Sequence, residues 1–145
     1  MKVLVLNSGS SSIKYQLFQS DHWQVLAAGA VNRIGESQGD FQGRWRDGAG
    51  QEQAFTLTLP VPHHGAGLEL ILARLRESGV LAEPGDLVAV GHRVVHGGEA
   101  FQHPTRVDEG VLAAMRDMIP LAPLHNPANL EGIAVAIRLF PGVPQ

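Results

Sequence analysis

The chain has 145 residues, of which 44% are hydrophobic and 17% charged, a composition typical of a folded globular domain rather than a disordered or coiled-coil protein. It contains no cysteine, which excludes a disulfide framework and any cysteine-based zinc or redox site. The net charge is −3, the wrong sign for a protein that holds nucleic acid through broad phosphate contacts, so a bound anion would need a local cluster of positive charge.

The amino-terminal third of the chain predicts three strands. Residues 3–6 form an apolar run that ends in the polar stretch NSGSSS, which predicts a buried strand followed by a loop. This run is too short for a signal peptide or a spanning helix, so we expect a cytoplasmic protein that does not enter a membrane. Residues 13–18 alternate between apolar and polar side chains and predict a second strand, and residues 23–34 predict a third that pairs back as a meander.

Two alternating segments in the middle of the chain predict a hairpin, and a helical pattern follows them. Apolar residues alternate over residues 41–45 and again over residues 55–59, on either side of the polar stretch RDGAGQEQ. The apolar spacing then changes to the i, i+3, i+4, i+7 pattern of a helix. That pattern reaches from Leu68 to Leu75, and Gly79 is placed as the helix cap.

The second half of the chain predicts one short buried strand and two helices. The strand covers residues 87–90 and leads into the stretch GHRVVHGGE, and loops after such strands commonly hold ligands. Asp108 is placed to cap a helix that carries apolar residues as far as Ile119 and is halted by Pro120. Asn126 is placed to cap a last helix.

The order of these elements predicts an α/β fold with a mixed β-sheet and flanking helices. Three strands and a hairpin come first, and helix, strand, helix and helix follow. This order departs from the βαβ unit of a dinucleotide-binding domain, and neither G-x-G-x-x-G nor G-x-x-x-x-G-K-[ST] occurs in the sequence. If this protein binds phosphate groups, it must therefore do so with a motif other than these two.

A stretch rich in serine joins the first two predicted strands and offers groups that bind phosphate. It supplies backbone N–H groups and hydroxyls, among them those of Ser10 and Ser12, and Lys14 adds a positive charge beside them. Asn7, at the strand end, has a carbonyl oxygen suited to Mg²⁺ or to a metal-bound water. A plain polar hairpin turn has the same composition, so these residues alone leave both interpretations open.

Arg93 directly follows the predicted strand at residues 87–90. Its guanidinium stays charged and prefers planar acceptors, so it predicts either a site for a carboxylate or phosphate ligand or a structural ion pair with an acid such as Glu99. His92 and His96 have i, i+4 spacing, which invites a zinc interpretation. A zinc site needs three or four ligands, however, and the helical H-E-x-x-H context is missing, so zinc is disfavoured.

A further polar group lies at the start of the last predicted helix. His125 precedes the cap residue Asn126, and a histidine beside helix N-terminal amides can donate a hydrogen bond to an anion; more commonly it packs at the helix start. Val95 and Leu124 either line a small apolar pocket beside these polar groups or belong to the core. Three further histidines are assigned only structural roles: His63, His64 and His103.

Three stretches, VLNSGSSSIKY, GHRVVHGGE and PLHNPANL, together resemble the acetate kinase family, in the family's order and spacing over essentially the whole chain. The resemblance implies that residues 1–145 form the amino-terminal lobe of an actin-like, ribonuclease H-like ATPase fold. The lobe would be incomplete, ending before its last strand, and the second, adenosine-binding lobe would be absent. In the family an essential aspartate and further site residues come later, so we expect this chain alone to be inactive.

The resemblance also implies an activity. The family transfers a phosphoryl group reversibly from ATP to acetate, giving acetyl phosphate and ADP, and requires Mg²⁺ or Mn²⁺. A homodimer is implied for the full-length protein, with acetate and ATP as small-molecule partners and no nucleic acid or membrane partner. Propionate or butyrate kinase is the nearest alternative, because one methylene changes selectivity in an apolar pocket by only about 10- to 200-fold. The sequence also admits a non-catalytic binding or dimerisation module, and a phosphatase of the same broad fold, for which no water-activating acid can be placed.

The first family motif implies roles for residues near the amino terminus. Asn7 matches the asparagine of the magnesium site. Ser10, Ser12 and Lys14 match the loop that faces the phosphates of ATP. A planar, highly charged transition state is stabilised by fixed cations and N–H donors, which these residues supply.

The other two motifs imply the substrate site. Arg93 matches the arginine that contacts the carboxylate substrate, and His125 matches a histidine near the transferring phosphoryl group. Val95 and Leu124 match the pocket that accommodates the substrate methyl group. In the family these residues act together with side chains from later segments.

Overall fold

The computed structural model describes residues 1–93, 103–117, 119–121 and 126–145. The strands are β1 (Lys2–Ser8), β2 (Ile13–Gln19), β3 (Gln24–Asn32), β4 (Gly39–Arg46), β5 (Glu52–Leu59) and β6 (Leu87–His92). The helices are α1 (His64–Glu77), α2 (Glu109–Asp117) and α3 (Asn126–Leu139), with short 3-10 turns at Pro84–Asp86 and Ile119–Leu121. No helix within these ranges is long and apolar enough to cross a membrane.

The strands form one mixed sheet in the order β5-β4-β3-β2-β1-β6. The first five strands are an antiparallel meander, and β6 pairs parallel to β1 at the opposite edge. Antiparallel neighbours need only short turns, whereas a parallel partner requires a crossover, which contains α1. The predicted α/β class, with a mixed sheet and flanking helices, is confirmed.

The two faces of the sheet differ in whether helices pack against them. In β2, Ile13, Tyr15 and Leu17 are buried in the core, whereas Lys14 and Gln16 between them are exposed. Because side chains alternate across a strand, the core lies on one face, where α1 and α3 pack. The other face is open over the part of the chain that the structure describes, and its polar side chains border the candidate site.

Helix α1 forms as its sequence predicts. The apolar stripe between Leu68 and Leu75 is buried against the sheet. The helix begins after His63, whose Nδ1 accepts a hydrogen bond from the N–H of Ala66 at 3.0 Å. It is terminated by Gly79, whose φ of 80° lies in the left-handed region that glycine adopts without strain.

The ring of Tyr15 crosses two glycines on the core face of the sheet. A Cβ at Gly29 would lie 2.7 Å from Tyr15 Oη, and one at Gly43 would lie closer still. Phe41 packs edge-on against the ring, with 6.5 Å between the centroids. Burial raises the pKa of Tyr15 to about 12, because the charged phenolate is poorly solvated there.

Helix α2 ends earlier than predicted. Asp108 caps it, since its Oδ1 accepts a hydrogen bond from the N–H of Val111 at 2.8 Å. The helix ends at Asp117, however, and Ile119 lies with Pro120 in the following 3-10 turn. The prediction that Ile119 belongs to the helix was therefore wrong. The physical reason is that the proline ring disfavours α conformation at the preceding residue.

Candidate functional site

Asn7, Lys14 and Arg93 lie side by side on the open face of the sheet, next to the turn at residues 9–12, hereafter the serine loop. Asn7 of β1 is the direct cross-strand partner of Lys14 in β2. The N–H of Arg93 donates to the carbonyl of Leu6 at 3.1 Å, which extends the β1–β6 pairing by one residue. Side chains at paired positions project from the same face, so the fold brings these three predicted site residues together.

These side chains border an open concavity of about 420 Å³. Lys14 and Arg93 form no ion pair with any acid in the described ranges, and among the described residues no acidic side chain lines the concavity. Glu99, considered above as a partner for Arg93, lies outside the described residues. Two positive charges at the border of an open concavity attract anions into it. The remaining lining residues are Val5, Tyr15, Gln16, Ala28 and Gly29.

Four carbonyl oxygens in and next to the serine loop accept hydrogen bonds from the protein. Those of Ser8 and Gly9 accept hydrogen bonds from side chains of two helices. The carbonyl of Ser11 accepts from the N–H of Ile34 at 2.9 Å, and that of Ser12 accepts from the N–H of Gly9 at 2.8 Å. These four acceptors are therefore satisfied within the protein, and their hydrogen bonds fix the shape of the turn.

The donors of the three serines in the serine loop remain available. Within the ranges that the structure describes, the N–H groups and hydroxyls of Ser10, Ser11 and Ser12 have no hydrogen-bond partner. Ser10 and Ser11 are exposed, and Ser12 is half-buried. A turn in which most carbonyls are bonded and the N–H groups and hydroxyls of three serines are free is suited to hold an anion, which favours the phosphate-binding interpretation over a plain polar turn.

Two buried helix residues hold this loop, and sequence analysis found neither. His64, the first residue of α1, has its Nε2 2.6 Å from the carbonyl oxygen of Gly9. Asn129 of α3 donates from Nδ2 to the carbonyl of Ser8 at 2.7 Å. His64 was assigned only a structural role, and Asn129 was not singled out. The available signal was chemical: polar side chains at buried helix positions need hydrogen-bond partners.

Helices α1 and α3 both contact the strand end and the serine loop through side chains of their first turns, His64 and Asn129. Gly132 allows α3 to approach this closely, because a Cβ at that position would lie 2.5 Å from Ser8 Oγ.

Asn7 is half-buried in β1 and lines the concavity, where its amide oxygen can serve as one ligand to a cation. In the described ranges, no three or more His, Asp or Glu side chains come together as a metal-binding group. Mg²⁺ usually keeps several waters and takes phosphate oxygens from its substrate. A single amide oxygen beside a loop with free donors therefore fits a Mg²⁺ ion that takes its other ligands from water and from a phosphate-bearing ligand.

His92 points to the core side of the sheet, opposite to Arg93, because it is the register partner of Leu6. Its Nε2 donates to Oε1 of Gln145 at 2.7 Å, and burial lowers its pKa, which favours the neutral ring. His92 thus links the end of β6 to the last residue of the chain. His96, its partner in the zinc alternative, lies outside the described residues.

Three predicted site residues, Val95, Leu124 and His125, lie outside the described residues. The predicted pocket for an apolar substrate group and the predicted histidine beside α3 therefore stay predictions.

Comparison with known proteins finds relatives that all belong to one group of enzymes, the kinases of acetate and propionate. A model of the Acetokinase family matches residues 2–145. An acetate kinase of Desulfovibrio desulfuricans is 44% identical over 99% of this chain, which covers 36% of that protein. The crystal structure of Porphyromonas gingivalis acetate kinase matches with a TM-score of 0.89 and 40% identity, over 99% of this chain and 36% of that one. A propionate kinase from Francisella tularensis matches with a TM-score of 0.84 and 33% identity, over 99% and 35%. The chain thus spans little more than a third of the length of these proteins.

Proposed function

The chain belongs to the acetokinase family, and we propose on that premise that it is the amino-terminal lobe of a kinase that transfers a phosphoryl group between ATP and acetate. One observation carries the proposal: the serine loop offers free hydrogen-bond donors beside the charges of Lys14 and Arg93. Phosphoryl transfer needs such fixed donors and cations, because negative charge spreads over the oxygens of the transferring group.

The serine loop is the proposed binding site for the phosphates of ATP. The N–H groups and hydroxyls of Ser10 and Ser12 bind phosphate oxygens, and Lys14 adds a point charge. Asn7 holds Mg²⁺ through its amide oxygen. When bound, this ion neutralises part of the phosphate charge and so makes the phosphorus more electrophilic towards the carboxylate oxygen.

Arg93 is the proposed binding residue for the carboxylate. Its planar fork of donors matches the two oxygens of acetate and keeps one of them in line with the γ-phosphorus. That oxygen forms a bond to phosphorus, the bond from phosphorus to the bridging oxygen of the β-phosphate breaks, and ADP leaves with the electron pair. His125 is proposed to stabilise the transferring phosphoryl group. Val95 and Leu124 are proposed to enclose the methyl group.

A related substrate is the second candidate. The structural match to a propionate kinase supports a longer carboxylate, since the same amino-terminal fold occurs in that enzyme. An apolar pocket separates acids that differ by one methylene only weakly. We also propose, on family membership alone, a cytoplasmic location and a homodimer for the complete protein.

Formation of acyl phosphate, trapped as its hydroxamate, tests the proposal. The complete gene product that carries this chain is supplied with ATP, Mg²⁺ and acetate, propionate or butyrate. We expect acetyl phosphate to form fastest, and a clear preference for propionate would favour the second candidate. No product with any of the three acids would contradict the proposed function and leave the non-catalytic module as the better interpretation.

The isolated chain is assayed in parallel. It spans 36% of the length of a related kinase, and a two-lobed phosphotransferase closes both lobes on its substrates. We therefore propose that the 145-residue chain forms no acyl phosphate by itself. Turnover by the pure chain would contradict this expectation without affecting the proposed reaction.

A further inference from the structure

His64 is a buried histidine to which the proposed reaction assigns no role. Only 7% of its surface is exposed, and both ring nitrogens face polar atoms. Nε2 lies 2.6 Å from the carbonyl oxygen of Gly9, and Nδ1 lies 3.6 Å from Oε2 of Glu131 in α3. An imidazole is costly to bury unless its polar atoms are bonded, so this contact with the serine loop accounts for its position.

The direction of the hydrogen bond to Gly9 is determined by chemistry. A carbonyl oxygen can only accept, so Nε2 of His64 carries the proton and donates it. Nδ1 is then an acceptor in the neutral ring and becomes a donor to Glu131 only if the ring is charged. In either state of the ring, the bond to Gly9 is kept.

That hydrogen bond orients the next N–H group of the loop. The carbonyl of Gly9 and the N–H of Ser10 belong to one planar peptide unit, and no peptide bond in the described ranges is cis. In a trans unit the two groups point in opposite directions. Because His64 holds the carbonyl towards α1, the N–H of Ser10 points away from α1, and no group in the described residues accepts from it.

We propose that His64 is a positioning residue for phosphate binding: by holding the Gly9 carbonyl it directs the Ser10 N–H at a phosphate oxygen of the nucleotide. The identity of that ligand rests on the function proposed above, whereas the effect on the loop does not. Asn129 acts on the preceding peptide, through the carbonyl of Ser8. The loop is thus held at consecutive peptides by one residue from each of two helices.

Two substitutions of His64 separate the hydrogen bond from the bulk of the side chain. His64→Leu fills a similar volume without a donor. His64→Gln has an amide N–H₂ at about the distance of Nε2 and can restore the bond. The matched control is His63→Leu, because His63 caps the same helix through Ala66 and has no contact with Gly9. Any effect that comes only from weakening α1 will occur in this control as well.

The first readout is steady-state kinetics of the complete gene product. A misplaced donor at the site of chemistry can cost on the order of 100-fold. We expect His64→Leu to lower kcat/KM for MgATP by about 10- to 100-fold, with KM for acetate changed less than about 2-fold. His64→Gln should recover most of the loss, and His63→Leu should match the wild type at temperatures where it is folded.

The second readout is hydrogen–deuterium exchange of the peptide that spans the serine loop, in the same proteins without nucleotide. The Gly9 N–H is bonded to Ser12 and reports whether the turn is closed. We expect its exchange to be at least about 10-fold faster in His64→Leu, with near-normal exchange in His64→Gln and His63→Leu.

The two readouts distinguish failure of the positioning role from failure of the proposed function. Unchanged exchange in His64→Leu overturns the positioning role, as does an equal loss of kcat/KM in His64→Leu and His63→Leu. If the wild-type protein has no kinase activity, the proposed function fails, and faster exchange limited to His64→Leu still supports the effect on the loop. Faster exchange with unchanged kinetics overturns the link to phosphate.

Discussion

Gly132 of α3 lies directly against Ser8 at the end of β1, and a Cβ on Gly132 would lie 2.5 Å from Ser8 Oγ and 3.2 Å from Ser8 Cβ. Alanine at this position favours the helix by about 1 kcal/mol, yet overpacking a close contact costs about 1 to 3 kcal/mol. We expect Gly132→Ala to lower the free energy of unfolding and to weaken nucleotide binding, because α3 must move away from the serine loop. Thermal denaturation and KM for MgATP measure both effects.

A helix position without this contact provides the control. A Cβ at Gly110 of α2 would meet only Asp108 Oδ1, at an ordinary 3.4 Å. Gly110→Ala should therefore leave stability unchanged or raise it by up to about 1 kcal/mol. Equal stabilisation by both substitutions would show that α3 tolerates a side chain beside Ser8.

Lys14 supplies one charge of the proposed phosphate site. Removing one charge-assisted hydrogen bond costs about 1.5 to 3 kcal/mol, so Lys14→Ala should lower kcat/KM for MgATP by about 10- to 150-fold. The matched control is Arg46→Ala, which removes a positive charge from an exposed residue of β4 that does not line the concavity. Equal kcat/KM for Lys14→Ala and the wild type would contradict the phosphate-binding role and favour the interpretation of the serine loop as a plain polar turn.

Arg93 is expected to bind the carboxylate through both charge and shape. Loss of one partner of a desolvated charge pair costs about 2 to 5 kcal/mol, so Arg93→Ala should lower kcat/KM for acetate by about 30- to several-thousand-fold. Arg93→Lys should restore this only in part, since an ammonium cannot form the two parallel hydrogen bonds. Steady-state kinetics with acetate as the varied substrate measures both variants.

The melting temperature of the same Arg93 variants distinguishes substrate binding from a structural role. The side chain is exposed and has no ion pair with an acid in the ranges that the structure describes, so we expect Arg93→Ala to melt close to the wild type. A structural ion pair would produce the reverse pattern. Lost stability with normal kcat/KM in the folded protein would contradict the substrate-binding role.

Tyr15 should make the stability of the chain fall at high pH. Its folded-state pKa is raised to about 12 by burial, so above about pH 10 the unfolded chain loses this proton and the folded chain keeps it. Stability from this group is therefore complete below pH 10 and is lost as the pH rises to 12, by about 2 to 3 kcal/mol. Urea denaturation from pH 9 to 12 should show this fall in the wild type and less of it in Tyr15→Phe.

Tyrosinate absorbance near 295 nm offers a direct check, because Tyr15 is the only tyrosine among the 145 residues. The folded chain should titrate with a midpoint well above 10 and the urea-unfolded chain with a midpoint near 10. Coincident midpoints would show that the phenol is solvated in the folded state.

Much of the fold follows from local patterns in the sequence. Alternation in residues 13–18 and the spacing from Leu68 to Leu75 correspond to β2 and α1, because a side chain's direction depends on its own backbone conformation. The capping role of Asp108 follows for the same reason, since a cap bonds within three residues. Ile119 shows the limit of such patterns, because its apolar spacing suited a helix that the following proline prevents.

Only part of the candidate site could be predicted from the sequence. The chemical character of Ser10, Lys14 and Arg93 made them candidates for binding an anion, because N–H and O–H donors and fixed cations bind phosphate and carboxylate oxygens. Their composition could not tell a phosphate loop from a polar turn. That choice depends on which loop groups the rest of the protein bonds, and the structure describes bonded carbonyls and free N–H groups.

The assembly of the site depends on contacts that no local pattern encodes. His64 bonds to a residue 55 positions away, and Asn129 bonds to one 121 positions away. A periodic pattern reports which face of a helix is buried, but it carries no information on what lies opposite that face. The residues of the serine loop were therefore evident from the sequence, whereas the direction of its N–H groups depends on how α1 and α3 pack against β1.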